Sequence, residues 1–189
     1  MGVVIGITGR NCAGKDTVAA ILERHGFERY SLSDGLRAEL RKRGEEITRP
    51  TLIALGNELR TAEGPATLAI RVQDMIQTER CALVSVRNPM EVERLREIPG
   101  FEFWAVDAPV EVRFARETSR GRESLPASLE EFVELEAREN TSDPNAQQLD
   151  ATYNLADWEI QNDGTLEELE ARVMGRIEAL EAVASGDQA

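Results

Sequence analysis

The chain has 189 residues, of which 41% are hydrophobic and 30% are charged, as in an ordinary globular domain and unlike a disordered chain. Its formal net charge of −13 at pH 7 disfavours nucleic acid polymers and anionic membranes as partners, because both are polyanions. No apolar run approaches the roughly 20 residues of a membrane-spanning helix, and Met1 leads directly into a strand-like segment without a signal peptide, so we expect a cytoplasmic protein.

Short apolar runs alternate with longer amphipathic stretches along the chain. Strands are predicted over residues 3–8, 29–32, 82–86, 103–106 and 158–161. Helices are predicted over residues 16–25, 35–43, 50–63, 65–79, 89–97, 109–119, 129–140 and 166–183. This alternation is typical of an α/β fold with a mostly parallel sheet, in which ligands bind at the carboxyl ends of the strands. We expect one domain over residues 1–184 and a flexible tail over residues 185–189.

A glycine-rich segment joins the first predicted strand to the first predicted helix. It reads Gly-Arg-Asn-Cys-Ala-Gly-Lys-Asp-Thr, from Gly9 to Thr17. In a phosphate-binding loop (P-loop) of this type, glycines let backbone N–H groups and the next helix N-terminus point at one anion, and the lysine reaches the outer phosphates. A glycine-rich turn without a ligand is the structural alternative. The segment predicts binding of a nucleoside triphosphate, with contacts from Gly9, Asn11, Ala13, Gly14, Lys15, Asp16 and Thr17, and Lys15 is also a candidate catalytic residue.

The residue after the P-loop lysine departs from the usual pattern. That position normally carries a Ser or Thr whose hydroxyl helps to hold Mg²⁺, whereas this chain has Asp16 there and Thr17 one place later. Because hard oxygen ligands suit Mg²⁺, Asp16 and Thr17 are the candidate metal ligands.

The second predicted strand leads to Asp34, and Arg37 follows about one helical turn later. Asp34 is a candidate catalytic residue, as a base for a hydroxyl acceptor or as a ligand of a magnesium-bound water, and it is also expected to contact the substrate. Arg37 is a candidate ligand for a phosphate on the acceptor. A helix cap at Ser33 or Asp34 beside a solvated Arg37 would explain the same residues.

Two further arginines are candidate substrate ligands. Arg87 follows the third predicted strand, where it either binds a phosphate or forms an ion pair with Glu91, four residues on. Arg60 lies in a predicted helical hairpin that either covers an acceptor or is simply solvated.

Arginines also cluster after the fourth predicted strand, from Arg113 through Arg116 to Arg120 and Arg122. Phosphoryl transfer needs positive groups that close over the phosphates and exclude water. We therefore expect Arg116 and Arg120 to act in catalysis and Arg122 to contact the nucleotide, although charged runs are also common on solvated helix faces.

The segment after the last predicted strand contains Asn162 and Gly164. These residues are candidates for contact with the adenine of the nucleotide. A cap of the following helix would explain the same segment.

Taken together, these segments resemble the P-loop kinases of small metabolites, in the branch that contains nucleoside monophosphate kinases and dephospho-CoA kinases. Residues 31–37 are similar to the strand-two motif of monophosphate kinases, and residues 84–91 resemble a segment of phage-type deoxynucleoside monophosphate kinases. Residues 160–169 resemble the Asn-x-Gly-Thr-x-x-Glu-Leu ending of dephospho-CoA kinases. Ser85 stands where the phage-type kinases tend to have an Asp. The chain is also similar to adenylate-kinase-related ATPases.

The resemblance implies a three-layer fold with five parallel strands, an acceptor-binding region around residues 35–80 and an arginine lid around residues 113–126. It implies Mg²⁺-ATP-dependent transfer of the γ-phosphoryl group to a small phosphorylated acceptor, with a nucleoside or deoxynucleoside monophosphate as the leading substrate. A hydroxyl acceptor such as dephospho-CoA and a non-catalytic ATP-binding switch are the alternatives. A small-molecule substrate is the expected partner, and a homodimer is left open.

Overall fold

Within residues 2–119 and 126–185, which the computed structural model describes, five strands form one parallel sheet. They are β1 (Val3–Gly9), β2 (Glu28–Ser31), β3 (Arg80–Val84), β4 (Phe101–Asp107) and β5 (Trp158–Gln161). The order of the strands across the sheet is β2–β3–β1–β4–β5, and all neighbouring pairs are parallel. The predicted α/β fold with a five-stranded parallel sheet is confirmed.

Helices connect the strands and cover both faces of the sheet. They are α1 (Lys15–Arg24), α2 (Asp34–Arg43), α3 (Arg49–Glu63), α4 (Thr67–Gln73), α5 (Pro89–Leu95), α6 (Val110–Ser119), α7 (Leu129–Glu139), α8 (Leu149–Tyr153) and α9 (Leu166–Ser185). Pro50 and Pro89 lie in the first turns of α3 and α5, where the missing N–H of proline has no cost. A predicted helix corresponds to each of these elements except α8.

Two helices differ most from the prediction. The helix expected over residues 65–79 is shorter, because α4 ends at Gln73. The chain then turns toward the sheet, where the Gln77 N–H donates to the Tyr30 hydroxyl (3.2 Å) and Ile76 packs against the apolar core. Tertiary contacts thus override the local helical pattern. The short α8 was missed because five residues are too few to show a helical period.

Apolar side chains bury both faces of the sheet. On one face, Ile5 and Ile7 belong to a cluster that includes residues of α1 and α9. On the other face, Val4 and Leu83 belong to a cluster with residues of α2, α3, α4 and α5. Burial on both faces is what parallel strands joined by crossover helices require. None of the described helices combines the length and the apolar character that crossing a membrane demands.

The strand order opens a crevice beside β1. From β1 the chain passes β3 to reach β2 at one edge of the sheet. From the neighbouring strand β3 it passes β1 in the opposite direction to reach β4. Where two neighbouring strands have connections that run in opposite directions, their carboxyl ends border an opening, and ligands of open α/β sheets bind there. The loop after β1 and the residues after β3 therefore border the same opening.

Candidate active site

Two glycines give the P-loop its path. Gly9 has a φ of +142°, and a Cβ built on it would lie 2.1 Å from the backbone oxygen of Val106 on β4. Gly14 has a φ of +105°, and its Cβ would lie 2.1 Å from Nδ2 of Asn162. A side chain at either position would meet both backbone strain and a clash. Cys12, between them, also has a positive φ, of 60°.

The loop presents the start of α1 to the crevice. Gly14 is the N-cap of this helix, and no side chain caps it, so the N–H groups of the first turn have no partner within the helix. Nζ of Lys15 lies across the loop and donates to the backbone oxygens of Gly9 (2.8 Å) and Arg10 (2.7 Å). The loop has no room for a side chain at two positions, and it combines uncapped N–H groups with a lysine at its edge. These features fit a bound phosphate chain.

Lys15 has an unusual proton affinity. Burial, and after it the positive charge of Arg87, lower its pKa from 10.5 to about 8, against opposing effects of Asp16, Cys12 and Glu136. The influence of Arg87 shows that the residue after β3 lies close enough to act on the P-loop lysine. Two cationic groups from the two sides of the crevice therefore face the same space.

The candidate metal ligands lie in the first turn of α1. Oδ1 of Asp16 accepts a hydrogen bond from Arg29 at 2.6 Å, and the Asp16 side chain is 76% exposed. Thr17 follows in the same turn and is half-buried. Both residues supply the hard oxygen atoms that Mg²⁺ prefers at the edge of the phosphate cradle, although Asp16 is engaged with Arg29 here. Their role as metal ligands stays a prediction.

A cavity of about 840 Å³ lies between the P-loop, the loops after β2 and β3, and the helices α2 and α3. It brings together Lys15, Asp16, Asp34, Arg37, Arg60 and Arg87, which the sequence singled out. It also adds polar residues that the sequence analysis did not select, among them Glu23, Arg29, Arg49, Ser85 and Gln147. The five arginines make this cavity suited to an anionic ligand.

Residues after β2 and β3 meet at one side of the cavity. Oδ1 of Asp34 accepts from Arg37 at 3.0 Å, and both side chains are partly exposed. The hydroxyl of Ser85 lies 3.1 Å from that of Ser31, and Ser85 has a φ of +67°. A non-glycine residue in the left-handed region is a strained position of the kind found at functional sites.

Arg60 and Glu91 form a buried ion pair between α3 and α5. Their side chains are 3% and 0% exposed, and Oε1 of Glu91 accepts from Nε (3.1 Å) and Nη2 (2.8 Å) of Arg60. Arg60 borders the cavity, yet its guanidinium is bound to the Glu91 carboxylate. A role for Arg60 in substrate binding stays a prediction.

Arg87 does not pair with Glu91 in the way the alternative interpretation supposed. Its backbone N–H donates to Oε2 of Glu91 (2.8 Å), while its Nη1 donates to Oε1 of Gln147 (3.0 Å). The i,i+4 spacing suggested an ion pair, but Arg60 approaches from α3 and binds the Glu91 carboxylate instead. The Arg87 guanidinium therefore borders the cavity in contact with a neutral amide.

Two predicted nucleotide or lid residues hold the P-loop backbone. Nδ2 of the buried Asn162 donates to the oxygen of Ala13 (2.7 Å), and Nη1 of Arg116 donates to the same oxygen (3.3 Å). Thr165 of the same segment caps α9 together with Glu168, as the alternative interpretation of this segment expected. Gly164 lies exposed in the same loop. Contact of Asn162, Gly164 or Arg116 with a ligand stays a prediction, and Arg120 and Arg122 lie outside the described residues.

An ion pair that the sequence analysis missed holds the P-loop residue Asn11. Glu136 on α7 accepts from the Asn11 N–H (2.9 Å), and Arg113 on α6 donates to the Asn11 oxygen (3.2 Å). Arg113 and Glu136 also bind each other at 2.8 Å. The helices on either side of residues 120–125 are thereby both attached to the same loop residue.

No protein-family model matches the chain. A UPF0200 protein of Methanoregula boonei is 32% identical over 182 residues, which cover 94% of this chain and 97% of that protein. The chain belongs to the UPF0200 family. Another UPF0200 protein, from Thermococcus onnurineus, is 31% identical, and the match covers 94% of this chain and 98% of that protein. The chain spans only 53% of a longer relative from Archaeoglobus fulgidus, a UPF0200/UPF0201 protein to which it is 29% identical.

Solved structures with a similar fold include three kinases of small molecules. A shikimate kinase from Aquifex aeolicus has a TM-score of 0.57 and 18% identity to this UPF0200 protein, and the match covers 94% of this chain and 97% of the kinase. A gluconokinase from Sinorhizobium meliloti has a TM-score of 0.53 at 17% identity, and the match covers 99% of this chain and 98% of the gluconokinase. An APS kinase from Mycobacterium tuberculosis has a TM-score of 0.52 at 20% identity, and the match covers 94% of this chain and 98% of the APS kinase. The chain has the P-loop kinase fold.

Proposed function

We propose that the protein is an ATP-dependent phosphotransferase whose acceptor is a small phosphorylated metabolite, with a nucleoside or deoxynucleoside monophosphate as the leading substrate. The observation that carries the proposal is that Lys15 of the P-loop and Arg87 after β3 border one arginine-lined cavity. A donor phosphate chain on the P-loop and an acceptor phosphate near Arg87 would then face each other across it. The fold shared with small-molecule kinases supports this interpretation.

Each group of residues has a distinct role in this proposal. Lys15 and the N–H groups that open α1 hold the outer phosphates of ATP, and Arg37 and Arg87 orient the acceptor phosphate. Arginines of the lid, Arg116, Arg120 and Arg122, stabilise charge on the transferred phosphoryl group. Mg²⁺, held through Asp16 or Thr17, would neutralise part of the phosphate charge.

The arginines favour a phosphate acceptor over a hydroxyl acceptor. A phosphate oxygen is already nucleophilic, whereas a hydroxyl such as that of dephospho-CoA needs a general base. Asp34, the candidate base, accepts a hydrogen bond from Arg37 (3.0 Å). This contact occupies one oxygen of the Asp34 carboxylate, while the arginines that line the cavity supply donors for an anionic acceptor.

The test is ADP release from Mg²⁺-ATP in the presence of single ribo- and deoxyribonucleoside monophosphates and of dephospho-CoA. We expect stimulation by a nucleoside monophosphate that is abolished in Lys15→Ala, which removes the cation of the P-loop. The Lys42→Ala variant is the matched control, because Lys42 is exposed on α2 and is the other lysine of the chain. Stimulation by dephospho-CoA alone would replace the proposed acceptor, and tight ATP binding without any stimulation would contradict the proposal.

The affinity for Mg²⁺-ATP is expected to fall about tenfold between about pH 7.5 and about pH 9.5. In the free protein, burial lowers the pKa of Lys15 to about 8, and bound phosphates would raise it again. The complex therefore holds more protons than the free protein above pH 8, so rising pH weakens binding. Calorimetric titration at several pH values measures this, with Lys15→Arg as the control, since a guanidinium stays protonated. If the affinity for Mg²⁺-ATP fell equally with pH in the wild type and in Lys15→Arg, the prediction would be contradicted.

A further inference from the structure

The segment of residues 140–148 is attached to the residues that follow β3. The Gln148 N–H donates to the backbone oxygen of Arg87 (2.9 Å). The side-chain amide of the buried Asn88 donates to the oxygens of Pro144 (2.8 Å) and Ala146 (2.9 Å). These three hydrogen bonds fix the position of the segment relative to Arg87, on the side of the cavity that faces the P-loop lysine.

Gln147 is the residue of this segment that borders the cavity. Its side chain is buried, with 8% of the residue exposed, and its Oε1 accepts from Nη1 of Arg87 (3.0 Å). Its backbone oxygen accepts from the Thr141 N–H (3.1 Å), so the side chain projects from a fixed backbone. Among the described residues, no buried side-chain nitrogen or oxygen lacks a partner, so the Nε2 amide of Gln147 is not an unpaired buried donor, and the residue lines the cavity.

We propose that Gln147 is a positioning residue, which holds the Arg87 guanidinium against the cavity so that the two side chains together bind the phosphate of the acceptor. The assignment to an acceptor rests on the proposed function, whereas the oxyanion site itself does not. A phosphate needs N–H donors in a fixed direction, and the hydrogen bond from Nη1 to Gln147 fixes the plane of the Arg87 guanidinium at the cavity.

The neutrality of Gln147 matters for this role. An amide orients the guanidinium without adding negative charge beside it, whereas a carboxylate at the same place would compete with the bound anion. The amide also offers its own Nε2–H donors to the same oxyanion. Gln147→Glu is nearly the same size as the natural residue, so it tests charge and donor capacity with little change in packing.

The first experiment measures binding of inorganic phosphate by calorimetry in a Lys15→Ala background, in which the P-loop lysine cannot contribute. We expect Gln147→Glu to weaken phosphate binding at least about tenfold and Gln147→Ala by a few-fold. Asn145→Asp is the matched control, because it adds the same charge two residues away and does not border the cavity. No phosphate binding in the Lys15→Ala background, or equal affinity of Gln147→Glu and Asn145→Asp, would overturn the proposal.

The second experiment measures kinetics with the acceptor that the ADP-release test identifies. Gln147→Glu should raise the KM for the acceptor about tenfold, with the KM for ATP and the midpoint of urea unfolding unchanged. A merely structural role would change the unfolding midpoint or affect both substrates alike, and either result would overturn the proposal. If no acceptor stimulates the wild type, the proposed function fails, and the phosphate titration alone decides whether the Gln147 site exists.

Discussion

The Glu91→Ala variant is expected to lose about 3–5 kcal/mol of its free energy of unfolding. The Glu91 carboxylate is fully buried and accepts four hydrogen bonds, two from the Arg60 guanidinium and two from the N–H groups of Arg87 and Asn88. Burial raises the pKa of Glu91, while Arg60 and the two N–H groups oppose that effect. Its removal would leave a buried guanidinium without a counter-charge and two N–H groups without acceptors. Urea unfolding followed by circular dichroism measures the loss.

Two comparisons separate this effect from the loss of any ion pair. Glu134→Ala breaks the pair with Arg138, whose side chains are 68% and 72% exposed, and should cost less than about 1 kcal/mol. The double variant Arg60→Met with Glu91→Leu removes both charges and should recover a large part of the lost stability. A Glu91→Ala protein as stable as Glu134→Ala would show that the pair contributes nothing.

The Gly14→Ala variant is expected to bind Mg²⁺-ATP about 100-fold more weakly than the wild type. A φ of +105° strains a non-glycine residue by about 1–3 kcal/mol. The new Cβ would also push Nδ2 of Asn162 from the Ala13 oxygen, a hydrogen bond of about 1 kcal/mol. The loop relieves both by changing its path. A ligand must then restore that path at a cost of about 3 kcal/mol, or about 100-fold in affinity.

A second glycine isolates the backbone contribution. Gly64 has nearly the same φ, +104°, but nothing lies within 4 Å of a Cβ built on it. Gly64→Ala should therefore lower stability by about 1–3 kcal/mol without changing the affinity for ATP. The prediction is wrong if calorimetry gives the same dissociation constant for Gly14→Ala as for the wild type.

Features encoded by neighbouring residues were predictable from the sequence. The P-loop combines an apolar strand, two glycines and Lys15 within a few positions, so its local pattern suffices to predict its structure. The rule that ligands bind at the carboxyl ends of strands then placed Asp34, Arg37 and Arg87 at the crevice, where the structure has them. Local signals also gave the strands and the helix starts at Pro50 and Pro89.

Contacts between distant parts of the chain were not predictable in this way. Arg60 binds Glu91 across 31 positions, Gln147 binds Arg87 across 60, and Asn162 reaches Ala13 across 149. No periodicity or spacing links such residues, because tertiary packing alone brings them together. The positive φ of Ser85 has the same origin, since serine has no intrinsic preference for that conformation.

The central place of β1 has a consequence for synthesis of the protein on the ribosome. β1 and the P-loop are translated before the other four strands, yet Val4 pairs with Cys81 on one side and with Phe101 on the other. The first strand therefore has no partner until β3 has been translated and lacks its second partner until translation has passed β4, since strands cannot pair with segments that do not yet exist. A nascent chain halted before β4 carries the whole glycine-rich sequence and still lacks the rigid frame that shapes it.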